Sequence, residues 1–95
     1  MATTIGLLRL TLHVAQAMNL KDKRRVIKSL KDRLLHRFPV SVAEVGSLDH
    51  WQHSQLGVAI VSNDSRHATE VLSKIVDFVR NSVTAELVDY TMEIL

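Results

Sequence analysis

The apolar residues of this chain switch repeatedly between a period of two and a period of 3.6, and that succession leaves few folds open to it. Residues 5–14 alternate: Leu8, Leu10, Leu12 and Val14 face one way, and Arg9, Thr11 and His13 the other. This is a strand with one buried face. From 20 to 37 the period lengthens, and Leu20, Val26, Ile27, Leu30 and Leu34 form a helical stripe. Asn19 is placed to cap that helix, and Pro39 closes it by disfavouring α geometry at Phe38. Residues 40–46 read as a short strand. Residues 55–62 read as another, apolar on both faces through Leu56, Val58, Ala59, Ile60 and Val61, the pattern of a central strand. Asp64 caps a second helix reaching about Asn81, with Val71, Leu72, Ile75, Phe78 and Val79 inward. The last strand, 86–95, sets Val88, Tyr90, Met92 and Ile94 against Asp89, Thr91 and Glu93.

The order βαββαβ predicts an α+β, ferredoxin-like domain over residues 1–95: a four-stranded antiparallel sheet with two helices on one face. Its open face is expected to be half polar, with Arg9, Thr11, His13, Asp89, Thr91 and Glu93 beside Ile5, Leu7 and one apolar face of the third strand. Monomers rarely leave such a patch bare, so a homodimer is expected. The topology puts the loop between the second and third strands at the same end as the start of the first helix. The end of the first helix and the start of the second, with Arg66 and His67, fall at the other end.

Several function classes are excluded by absence. There is no cysteine, hence no disulfide framework and no thiolate site. No apolar run approaches the roughly 18 residues of a membrane span, and the first residues do not resemble a secretory signal, so a cytoplasmic protein without membrane contact is expected. No glycine-rich phosphate loop, GxSxG or HExxH occurs. Acylphosphatases share this fold class but need a glycine-rich anion loop after the first strand, where this chain has Ala15-Gln16-Ala17-Met18. No catalytic residue and no cofactor is expected, and the chain reads as non-enzymatic. RNA-recognition domains carry stacking aromatics on the two central strands, and these strands carry none.

Charge points to a partner. Residues 1–37 hold nine basic and two acidic side chains, +7, and residues 38–95 hold three basic and eight acidic ones, −5. Lys21, Lys23, Arg24 and Arg25 crowd the first turns of the first helix, where the helix dipole disfavours cations, and only Asp22 and Asp32 lie close enough in sequence to neutralise them. A helix start with open amides and surplus cations is an anion site. Lys21, Lys23, Arg24, Arg25 and Lys28 are the candidate RNA phosphate contacts. Trp51, in the loop at the same end, is read first as packing against the protein or a dimer partner, and as a candidate stacking platform for a base in the functional alternative. Lys23 falls within the apolar stripe, as does Arg37. Both are expected to snorkel past the helix ends, a buried and paired Lys23 being the other option. His50 and His53 stand at i,i+3 with only Asp49 nearby, and no metal is assigned to them.

Leu20-Lys21-Asp22-Lys23-Arg24-Arg25, Val40-Ser41-Val42-Ala43-Glu44, Trp51-Gln52 and Val61-Ser62-Asn63-Asp64 resemble the signature segments of the YlxP-like family of small bacterial proteins, a domain of unknown function. The resemblance covers nearly the whole chain. Asn19 stands where that family usually has serine, an equally good cap. The resemblance implies a ferredoxin-like fold, no established enzymatic activity, and genes lying beside those for translation initiation and ribosome maturation. The expected partner is accordingly RNA or a ribosomal particle. The alternative is a homodimeric protein-interaction module acting through the sheet face.

Overall fold

The computed structural model describes residues 2–95. Its elements are β1 (Thr4–His13), α1 (Leu20–Arg37), β2 (Ser41–Gly46), β3 (His53–Ser62), α2 (Ser65–Arg80) and β4 (Glu86–Ile94). The strands form one antiparallel sheet in the order β2-β3-β1-β4, the ferredoxin-like α+β arrangement. β1 and β3 take the central places, where hydrogen bonds run to neighbours on both sides. Leu8, Leu10 and Leu12 of β1 and Leu56, Val58 and Ile60 of β3 point to the helix side and are buried, together with Ile27, Leu30 and Leu34 of α1 and Leu72, Ile75 and Val79 of α2.

Both helix starts are capped as the sequence indicates. Asn19 Oδ1 accepts from the Asp22 amide at 2.8 Å, and Asp22 Oδ2 accepts from the Met18 amide at 3.0 Å. Asp64 Oδ1 accepts from the Arg66 amide at 3.0 Å. α1 stops where the residue before Pro39 turns extended, at Phe38 with φ −129° and ψ 147°.

Three features depart from the sequence reading. β3 begins at His53, earlier than expected, because His13↔His53 and Leu12↔Ser54 extend its pairing with β1. In β4 the register slips between Thr11↔Asp89 and Leu12↔Leu87. This bulge leaves Val88 between the pairs and 56% exposed, and Leu87 packs against the core in its place. Arg33 and Arg37 share a groove with Lys74 and Phe78 in the second half of α2, not with Arg66 and His67 in its first turn.

Candidate nucleic-acid interface

Lys23 corrects the sequence reading most sharply. It does not snorkel. Its side chain is fully buried, and the three ammonium hydrogens meet three acceptors: Glu44 Oε2 at 2.9 Å, the Ser47 carbonyl at 2.9 Å and the Leu48 carbonyl at 3.2 Å. Ser54, also buried, donates to the same Glu44 oxygen at 2.6 Å. Glu44 reaches this site because it lies on the helix-facing side of β2, opposite Leu56. With no hydrogen left to give, Lys23 drops out of the set of phosphate contacts. It serves as a tether between the first turn of α1 and the β2–β3 loop.

That loop spans residues 47–52 and turns at Ser47, whose φ of 58° lies in the left-handed region. Its far end is held to the β1–α1 connection. The Val14 amide donates to the Gln52 carbonyl at 2.7 Å, and Gln52 Nε2 reaches the carbonyls of Ala15 and Ala17 at 3.3 and 3.4 Å. Between these two anchors sits Trp51, 43% exposed. The loop and the start of α1 are thus joined by Lys23, a residue whose place in the sequence suggests a phosphate contact.

Lys21, Arg24, Arg25 and Lys28 are all exposed. Lys28 pairs with Asp32 at 2.7 Å, one turn along α1. Lys21, Arg24 and Arg25 enter no ion pair among the described residues. Asp22, the one acid in the first turn, is occupied with the Met18 amide, so the surplus charge at the helix start stands open to solvent. At helical spacing Lys21, Arg24, Lys28 and Lys31 run along one flank of α1.

The histidines gather more closely than their spacing suggests. His13 stacks on His53 with centroids 5.0 Å apart, and His53 meets His50 edge-on at 4.4 Å. The Gln52 amide donates to His50 Nδ1 at 3.1 Å, and His13 Nδ1 lies 3.7 Å from Glu86 Oε2. Among the described residues no group of three His, Cys, Asp or Glu is arranged to hold a metal ion.

Sequence reasoning missed a second cationic feature. On the flank of α1 facing α2, the guanidinium carbons of Arg37 and Arg33 lie 4.9 and 5.9 Å from the centre of the Phe78 ring, and Phe38 meets that ring edge-on at 6.0 Å. Phe78 is half-buried at the margin of the core instead of inside it. The i,i+4 spacing of Arg33 and Arg37 was the available signal. On the opposite side of the sheet, Ile5 pairs with Val61, the Leu95 amide donates to the Ile5 carbonyl at 2.7 Å, and these three apolar side chains are all exposed.

A family model described as "Protein of unknown function (DUF503)" matches residues 5–92, and the chain belongs to that family. The chain is also similar to the "Uncharacterized protein YlxP" of Bacillus subtilis (strain 168), with 33% identity over 66 residues, covering 70% of this chain and 72% of the relative.

Proposed function

We propose that this DUF503 chain is a non-enzymatic, cytoplasmic RNA-binding or ribosome-associated protein that uses the start of α1 for phosphate contact. The observation that carries the reading is the open charge of Lys21, Arg24 and Arg25 beside a tryptophan loop that the buried Lys23 pins in place. Such contacts release counterions and are indifferent to base sequence. No helix among the described residues is long and apolar enough to cross a membrane. The test is RNA binding measured against salt. Arg25→Gln is expected to weaken binding about equally across sequences and to lower the slope of log K against log salt by about one. Reversing Lys21, Arg24, Arg25 and Lys28 together is expected to abolish co-sedimentation with ribosomal particles, and unchanged co-sedimentation would end the reading.

A second reading is favoured by one observation. The open sheet face leaves Ile5, Val61 and Leu95 42%, 72% and 68% exposed in one adjoining row. A homodimer through this face would cover it. Sedimentation at high micromolar concentration is expected to give a dimer that Val61→Lys dissociates, and a monomeric wild type would exclude it.

A further inference from the structure

The groove between the helices holds two guanidinium groups that the fold positions but does not neutralise. Arg33 and Arg37 are one turn apart at the end of α1, both lie over Phe78 of α2, and neither enters an ion pair among the described residues. The ring beneath them is fixed in turn by Phe38, whose plane stands at 76° to it. An arginine held by an aromatic face spends none of its five N–H donors on the contact. Its edge stays free for an anion, and its outer face stays free for another flat group. Lys74 and Asp77 line the same groove, whose volume is about 410 Å³, within the range of small-molecule sites. Asp77, like the two arginines, is in no ion pair among the described residues.

We propose that this groove receives an unpaired nucleotide of RNA. The base stacks on the outer face of Arg37, the phosphate takes the N–H edge of Arg33 and the ammonium of Lys74, and the Asp77 carboxylate accepts from an exocyclic amino group. A phosphate alone would take the N–H edges and leave the guanidinium planes unused. Unpaired RNA, in contrast, is recognised by stacking on aromatic rings and guanidinium planes together with hydrogen bonds to base edges, all of which a duplex hides. The unpaired guanidinium donors and their placement over an aromatic ring both favour this ligand. The proposal rests on the reading of α1 as an RNA-binding element. It adds a class of RNA, single-stranded over duplex, and a second contact point in the last turns of α1, apart from its first turn and the Trp51 loop tethered there.

The test is fluorescence anisotropy with a labelled single-stranded oligoribonucleotide and the same sequence as a blunt duplex. The wild type is expected to prefer the single strand. Arg37→Lys keeps the charge and removes the flat plane. It is expected to cost about tenfold in single-strand affinity, within the range of one base-stacking contact, while duplex affinity and the salt slope hold. Phe78→Leu, checked for folding by circular dichroism, is expected to do the same. Should that variant unfold, crosslinking of the wild type to a 4-thiouridine oligonucleotide is expected to label peptides carrying Arg37 or Phe78. Equal losses for single strand and duplex, or no loss with Arg37→Lys, would overturn the groove assignment. Competition by polyglutamate as strong as by the oligonucleotide would transfer the groove to an acidic protein. If Arg37→Lys is silent while reversal of Lys21, Arg24, Arg25 and Lys28 abolishes binding, the groove fails and the α1 reading stands. A wild type that binds neither RNA ends both.

Discussion

Replacing Lys23 by methionine keeps most of the methylene packing and removes only the ammonium. The cavity term is therefore small, and the cost is that of three acceptors left without a donor. Two are the loop carbonyls of Ser47 and Leu48, which lose a part-buried hydrogen bond each. The third is the Glu44 carboxylate, which keeps a single hydrogen bond from Ser54. Breaking a buried ion pair from one side costs about 3–5 kcal/mol. The Glu44 side chain is 15% exposed, so water reaches it in part and the expected cost falls at the lower end, about 3 kcal/mol. For a chain of this size that is roughly 12–24 °C in Tm. Lys23→Met/Glu44→Gln removes the stranded charge while leaving Ser54 an acceptor, and about half of the loss is expected to return. Urea denaturation of the two single variants and the double variant gives the coupling energy, expected to be at least about 1.5 kcal/mol. A Lys23→Met cost under about 1 kcal/mol, or strict additivity, would refute the buried tether. Below its melting temperature the same variant is expected to bind RNA with an unchanged salt slope, since this ammonium never faced solvent. A slope lowered by one would return Lys23 to the phosphate contacts.

Leu10→Ala and Ile75→Ala each remove a fully buried side chain from the sheet–helix layer and are expected to cost about 2–5 kcal/mol in chemical denaturation, near-wild-type midpoints being the contrary result. Gly6→Ala sets a methyl group 2.9 Å from both Ile60 Cγ2 and Leu72 Cδ1, two buried side chains with little room to retreat, and is expected to lower stability by about 1–3 kcal/mol by overpacking. Trp51→Leu is expected to reduce RNA affinity by about 1–3 kcal/mol with the denaturation midpoint held. A lower midpoint or a dissociated dimer would identify the ring as packing instead.

The six elements, their order and both helix caps were legible in the chain, because they depend on contacts between residues a few positions apart. Leu8, Leu10 and Leu12 alternate into one face at any register, and Asn19 reaches the Asp22 amide wherever the helix is placed. The surplus charge of α1 was legible for the same reason, since Asp22 and Asp32 are the only acids within a turn of it. Where the Lys23 ammonium goes was decided by the tertiary structure. The place of Lys23 in the apolar stripe left snorkelling and pairing both open. The choice fell to Glu44, 21 residues away, and to two carbonyls of a loop whose turn at Ser47 no local pattern announces. Val88 is exposed because a bulge opposite Thr11 and Leu12 shifts the register of β4 by one residue, and alternation cannot record a shift that pairing imposes. The meeting of Arg33 and Arg37 with Phe78 joins residues more than 40 positions apart, and no local pattern records it. Local sequence specifies which groups a surface can offer. Their acceptors and stacking partners come from distant segments, and only the closed chain brings those within reach.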